Sequence, residues 1–354
     1  MQRLLIDQKN ITKTQMEDVA SVPLAIGQAR LKLQSFALTA NNVTYAASGF
    51  AIGYWNFFPT GVAGQGLVPV WGVAEVVESQ SDALAVGTKL YGFFPLADEL
   101  VMTPKADGHG MIEDVAAHRT ELPAVYNRYT PVRGDGGEAE HMRALLQPLL
   151  ATSYLLFDWL MDNDCFGAEQ IIIGSASSKT GLGLCKFLAE PEARNYKIVG
   201  LTSARNKAFV EGLGACDQVL TYDEVAQIAQ KPSVYVDMSG NAAVKAALHS
   251  ALGDHLKHSA AVGISHWDQF NPAQELAGPK PQFFFAPAQI AKRREEWGPG
   301  KIEGLITESW KRIAADASDW LTVKVHHGLG EAAGVYGALA DGTADPRDGH
   351  VIEV

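Results

Sequence analysis

One stretch, residues 170–188 (QIIIGSASSKTGLGLCKFL), constrains what this 354-residue chain can fold into more than any other. Three consecutive isoleucines, Ile171, Ile172 and Ile173, have the unbroken apolar character of a strand buried on both faces of a parallel sheet. Small and polar residues follow at once: Gly174, Ser175, Ala176, Ser177 and Ser178. After Lys179, Thr180 and Gly181, apolar residues recur at helical spacing at Leu182, Cys185 and Leu188. A strand, a tight turn of small residues and a helix aim the helix N-terminus at whatever lies above the strand end. The unpaired N–H groups and the dipole there favour an anion. Ser175, Ser177, Ser178 and Thr180 add hydroxyl donors, and Lys179 adds charge. The stretch reads as a diphosphate cradle, with a plain strand–turn–helix connection as the alternative.

The pattern departs from the full dinucleotide fingerprint. That fingerprint asks for glycines in the turn, at the pyrophosphate and at the helix–strand contact. Only Gly181 fills such a place; Ser175 and Ser178 stand where the first two glycines belong. A nucleoside-triphosphatase loop fits less well, since its two glycine positions hold Ile173 and Ser178.

Residues 197–201 (KIVGL) read as the next strand, at the distance a β–α–β unit requires. A protein that binds NAD usually carries an acid at the end of this strand. Here the chain reads Thr202, Ser203, Ala204, Arg205, Asn206, Lys207, with no acid before Glu211. Hydroxyls and two cations suit a ribose 2′-phosphate, which favours NADP(H). A polar loop opening a basic helix is the alternative.

Further strands are expected at residues 219–220, 234–237, 259–264 and 283–285, completing a doubly wound sheet. Ser265 and His266 follow the strand expected at 259–264, at the end where such sheets bind ligands. Ahead of this region, short strands punctuated by glycine suggest a barrel-like unit. Between them lies a polar insert, about residues 103–147, with His118, Arg119, Tyr126 and Asn127 and a glycine-rich stretch at 133–138. It reads as a substrate lid or as an irregular surface loop. A long amphipathic helix is expected at 305–321, and residues 323–354 should return to the first unit.

The chain is long enough for two cores, and 47% hydrophobic with 19% charged residues is ordinary globular composition. A net charge of −11 argues against non-specific binding to nucleic acid or anionic membranes. The three cysteines, Cys165, Cys185 and Cys216, form no CxxC pair or disulfide framework. With no leader pattern and no apolar run of membrane-spanning length in the sequence, a cytoplasmic location is expected.

In order, these segments resemble the medium-chain dehydrogenase/reductase superfamily, on its zinc-free quinone oxidoreductase side. Asn41-Asn42-Val43-Thr44-Tyr45 with Ser48-Gly49 is similar to its N-x-x-(D/E)-T-Y-x-x-S-G segment, one residue short. Residues 73–77 and 86–92 resemble its barrel strands, and residues 151–154 (ATSY) its threonine-bearing helix. Residues 175–181 stand where it has GAxGGVG, Leu213-Gly214-Ala215 with Thr221-Tyr222-Asp223 where it has LGA and a tyrosine, and residues 236–240 where it has DxxG. NNVTYA, PVWG, SASSKT and FFFAPAQ together look like a bacterial branch known as a domain of unknown function.

The resemblance implies an α/β protein. A GroES-like β-barrel-type catalytic domain would span 1–145 and 310–354, and a Rossmann domain 146–309, with NADP(H) between them. It implies a cytoplasmic homodimer, a small-molecule substrate, and no nucleic acid or membrane partner. It places Ser175, Ala176, Ser177, Ser178, Lys179, Thr180 and Gly181 at the diphosphate and Ser203, Arg205 and Lys207 at the 2′-phosphate. Tyr222 would meet the adenosine, and Thr152, Asn41 and Ser265 the nicotinamide end. Tyr45 is the proton-donor candidate, with His118 or Tyr126 as substitutes; a half-buried barrel tyrosine and a structural histidine are the plainer readings. Asn41 and Asn42 compete for one place. The zinc ligands of the zinc-dependent members are missing from the sequence, so no metal is expected. The implied reaction is hydride transfer to an activated C=C or C=O. A non-redox elimination or retro-aldol step, or NADPH binding without turnover, stays open.

Overall fold

Alternating and β-branched segments in the first part of the chain become short antiparallel strands, and the isoleucine run becomes the centre of a parallel sheet. The computed structural model describes residues 1–133, 137–263 and 275–354. These divide into two compact units, Met1–Leu145 with Leu321–Val354, and Leu146–Trp320.

In the first unit β1 (Gln2–Asp7) and β2 (Thr14–Asp18) form a hairpin, and β3 (Ala29–Leu38) leads into helix α1 (Ala40–Ala47). Then come β4 (Gln65–Gly66), β5 (Pro69–Ser79), β6 (Lys89–Pro95) and β7 (Glu99–Met102). The polar insert supplies β8 (Pro104–Ala106), β9 (Ile112–Asp114) and β10 (Arg128–Val132) before helix α2 (Glu138–Asp162). It therefore holds a short antiparallel meander, where the sequence left a lid and an irregular surface loop open. β10 pairs with β6, with Thr130 opposite Tyr91, and carries β9 and β8 outward. Arg119 anchors the meander. Its buried guanidinium reaches the Asp114 carboxylate at 3.2 Å, the Tyr129 hydroxyl at 2.9 Å and the Phe57 carbonyl at 3.4 Å.

In the second unit β11 (Gln170–Gly174) is followed by α3 (Lys179–Ala189), β12 (Lys197–Thr202), α4 (Lys207–Gly212), β13 (Gln218–Thr221), β14 (Ser233–Asp237), α5 (Ala242–Leu252), β15 (Leu256–Ala261) and β16 (Gln282–Phe283). The strands run parallel in the order β13-β12-β11-β14-β15-β16. β11 is where the order reverses, the crevice in which open α/β sheets bind ligands. The isoleucine run serves both faces. Ile171 and Ile173 pack with Leu184, Leu188 and Val236, while Ile172 packs with Val199, Leu220 and Leu248.

Helices α6 (Ala286–Trp297) and α7 (Lys301–Ala315) close the second unit; Trp310 of α7 is buried. Among the described residues α2 is long and apolar enough to cross a membrane, which the sequence reading did not anticipate. Its second-unit part is built as a core helix. Leu155, Leu156 and Leu160 are buried, and Asp158 accepts hydrogen bonds from Gln289 at 2.6 Å and Arg293 at 2.7 Å.

The chain then returns to the first unit with β17 (Thr322–His327), α8 (Gly328–Ala340) and β18 (Asp348–Glu353). β18 pairs with β3 and extends the large sheet, β17-β18-β3-β5-β6-β10-β9-β8 with β7 on β3.

Candidate functional site

The turn after β11 is held by its own serines. Ser175 has φ 56, the left-handed region that a glycine enters freely and an L-residue enters at a cost. The phenol of Tyr222 is hydrogen-bonded to Ser175, and burial pushes that phenol up to about 12. Ser178 is the N-cap of α3. Its hydroxyl accepts from Gly181 N–H at 3.1 Å and donates to the Ser175 carbonyl at 2.8 Å. Gly181 allows the helix to close on the turn: a Cβ there would lie 2.5 Å from the Ser175 oxygen and 3.2 Å from Ala176 Cα. Lys179 and Thr180 open the helix, and the Thr180 carbonyl accepts from the Ser153 hydroxyl at 2.8 Å.

Ser177 joins this turn to the end of β12. Its hydroxyl accepts from Thr202 at 3.0 Å and from Asn206 at 3.3 Å. Beside them the Ser203 hydroxyl is buried with no hydrogen-bond partner among the described residues. Arg205 stands on the exposed turn Ala204–Asn206. Lys207 pairs with Glu224 at 2.8 Å, and this hydrogen bond holds the Glu224 carboxyl below its usual range. Glu224 also accepts from Thr221 N–H at 2.8 Å, capping the turn that carries Tyr222. Thr152 donates to the Pro148 carbonyl at 3.1 Å. Ser265 and His266 lie outside the described residues.

These features fit the diphosphate end of a dinucleotide. The backbone adopts a glycine-like turn, the helix N-terminus is capped and closely packed, and a buried hydroxyl at the neighbouring strand end awaits an acceptor or donor.

In the first unit α1 separates the two asparagines. Asn42 is buried, closes a capping box with Thr39 and donates to the Pro69 carbonyl at 2.8 Å. Asn41, one helical turn before Tyr45, is hydrogen-bonded to its phenol. Trp71 of β5 donates its indole N–H to the same oxygen at 3.2 Å. The Tyr54 ring lies 4.5 Å from Tyr45, and its hydroxyl is 3.0 Å from that of Tyr126. Phe93 packs beneath Tyr45 and Tyr126. Burial drives the phenols of Tyr45, Tyr54 and Tyr126 well above the ordinary range, so all three are neutral donors at physiological pH.

The structure thus gathers Asn41, Tyr45 and Tyr126 in one aromatic cluster. His118 lies beyond Phe57 and meets its carbonyl at 3.2 Å through Nε2, which makes Nε2 the protonated nitrogen. The sequence reading gave no role to Trp71, to the Tyr54 hydroxyl or to Glu224. PVWG was the visible sign of the first; the second and third become visible only with the fold.

The family model described as "Protein of unknown function (DUF2855)" matches residues 36–345. The chain belongs to this family. No curated protein matches it. Its fold is shared with solved structures. CurA from Vibrio vulnificus in complex with NADPH is 13% identical over 100% of this chain and 99% of that one, with a TM-score of 0.65. The quinone oxidoreductase from Coxiella burnetii is 16% identical over 100% and 99%, with a TM-score of 0.56. The YhdH oxidoreductase from Salmonella enterica in complex with NADP is 14% identical over 100% and 100%, with a TM-score of 0.52. This member of the family therefore has the α/β fold its segments implied, a GroES-like unit and a Rossmann unit. Among the described residues no group of three or more His, Cys, Asp or Glu is placed to hold a metal ion.

Proposed function

We propose that the chain is an NADPH-dependent, zinc-independent oxidoreductase, a cytoplasmic homodimer acting on an activated C=C or C=O of a small enone- or quinone-like molecule. The turn after β11 carries this reading, with Ser175 at φ 56 and α3 packed on it through Gly181. CurA and YhdH, which share the fold, have been crystallised with NADPH or NADP. NADPH, when bound, supplies the hydride.

The N-terminus of α3 and the turn 175–181 hold the diphosphate, and Lys179 offsets its charge. Ser178 acts through the cap, because its hydroxyl is already engaged at both ends. Ser203 and Arg205 take the 2′-phosphate, and Lys207 joins them by leaving Glu224. Tyr222 steadies Ser175 on the adenosine side. Thr152, Asn41 and Ser265 position the nicotinamide end.

Tyr45 donates to the substrate oxygen. Burial dominates and keeps its phenol protonated, a neutral hydrogen-bond donor, while the hydrogen bonds from Trp71 and Asn41 act weakly in the opposite direction. Tyr126 lies beside it through Tyr54, and His118 is the more remote substitute.

A fluorescence titration tests the reading. NADPH should bind more tightly than NADH, and the Arg205→Ala, Lys207→Ala pair should weaken NADPH by more than about tenfold while hardly moving NADH. Tighter NADH binding, or no binding of either, would overturn it. NADPH oxidation with enones and quinones should survive metal chelation; loss of turnover restored by zinc would refute the zinc-independent chemistry.

A further inference from the structure

Two of the three cysteines meet inside the second unit. Cys185 lies on α3, four residues beyond Gly181 and so on the same helix face, and is buried. Cys216 is half-buried between α4 and β13. Its sulfur lies over Gly200 of β12: a Cβ there would sit 2.9 Å from Cys216 Sγ and 3.1 Å from Ala176 Cβ. The missing side chain makes room for the sulfur next to the diphosphate turn. The two thiols are hydrogen-bonded to each other, in the apolar layer of Ile198 and Val210.

We propose that Cys185 and Cys216 form a reversible oxidation site, which a hydroperoxide converts to a disulfide tying α3 to the segment ahead of β13. We further infer that the disulfide weakens the dinucleotide site, a consequence that rests on the function proposed above.

Cys216 is the attacking sulfur. It is the more accessible, and the hydrogen bond from Cys185 holds its thiol below the usual range. Its thiolate attacks the hydroperoxide: an S–O bond forms, the O–O bond breaks, and the alcohol or water released takes up a proton. The Cys185 sulfur then attacks the sulfenic acid. An S–S bond forms, the S–O bond breaks, and water leaves with the Cys185 proton. Two thiols lose two electrons and one hydroperoxide gains them. Thioredoxin-type reductants reverse the change. Drawing the sulfurs to the ~2.0 Å of a disulfide pulls on the helix face that Gly181 seats against Ser175. Cys165 is an internal control, since burial pushes its thiol up to about 11.

The test uses the whole chain, reduced, then exposed to a few equivalents of hydrogen peroxide, alkylated and digested without reductant. Mass spectrometry should find a peptide linking Cys185 to Cys216, alkylation at Cys165 alone, and reversal by dithiothreitol. Cys185→Ser should leave a sulfenic acid on Cys216 that dimedone captures. Both thiols still open to alkylation, or Cys216 over-oxidised without a link, would overturn the site. NADPH titration of the oxidised protein should show several-fold weaker binding, restored by dithiothreitol and absent from Cys216→Ser. A linked protein with unchanged NADPH affinity would overturn the coupling alone. A protein that never binds NADPH would remove the proposed function and the coupling, and leave the disulfide result standing.

Discussion

At Ser175 the left-handed backbone costs an L-residue roughly 1–2 kcal/mol, and the hydrogen bonding of Ser175 to the Tyr222 phenol oxygen offsets part of it. Ser178, the other serine in a glycine position, spends its hydroxyl on the helix cap. These roles separate in mutants. Ser178→Ala removes the cap and should lower stability by about 1 kcal/mol in denaturant titrations. Ser178→Asp restores the cap but cannot donate to the Ser175 carbonyl, so stability should return in part. The new carboxylate stands at the end of the helix where the proposed diphosphate binds, so NADPH affinity should fall further than with alanine. Asp binding NADPH as well as serine would show that the phosphate lies elsewhere. The sequence pointed to these positions by what glycine does there. It did not show that serine adopts the glycine conformation at one and caps a helix at the other, because that depends on where Tyr222 and Gly181 come to rest.

Elements α3 and the β8–β10 meander are each fixed by one residue. Gly181→Val puts a branched side chain where a Cβ already meets a carbonyl at 2.5 Å, so α3 must move off the turn. A loss of about 2 kcal/mol or more, with loss of NADPH binding, is expected from calorimetry and titration. In the meander, Arg119→Ala strands the buried Asp114 carboxylate and should cost ~3–5 kcal/mol. Adding Asp114→Asn should recover part of that loss. The asparagine oxygen still accepts from Thr103 and Ala116 N–H, at 3.0 and 3.1 Å from the present carboxylate, and no charge is left buried. A double mutant no better than Arg119→Ala would mean that packing on the Phe58 ring, 4.6 Å away, dominates instead. The strands of the second unit were legible because each is a short apolar run between turn residues. The meander was not, because its strands are three to five residues long and its stabilising contacts lie far away in sequence, with Phe57 and with Phe93, whose carbonyl accepts from Tyr129.

Across the whole molecule, the doubly wound sheet of the Rossmann unit followed from the spacing of its strands in the sequence. Helix α1 did not, since ANNVTYAA owes its helix to the Thr39–Asn42 cap more than to apolar period. The buried tyrosines, scattered through both units, share one consequence that composition alone hides. Tyr129 donates to the Phe93 carbonyl at 2.7 Å, Tyr196 to the Leu188 carbonyl at 3.1 Å, and Tyr222 is bonded to Ser175. Burial pushes all three to about 12. Tyr45 and Tyr126 are raised further by the same cause. In the unfolded chain these phenols ionise near pH ~10. The folded chain therefore keeps protons that the unfolded chain releases. The stability this represents is fully present below about pH 10 and is lost as pH rises toward and through ~12, at about 1.4 kcal/mol per pH unit for each such tyrosine. Urea titrations at rising alkaline pH should show that fall, and tyrosinate absorbance should rise together with the loss of near-ultraviolet circular dichroism. Ionisation of all ten tyrosines near pH ~10 in a protein that keeps its tertiary signal would refute it. The cluster around Tyr45 would then be open to water, and the case for a neutral, buried phenol as the substrate's hydrogen-bond donor would go with it.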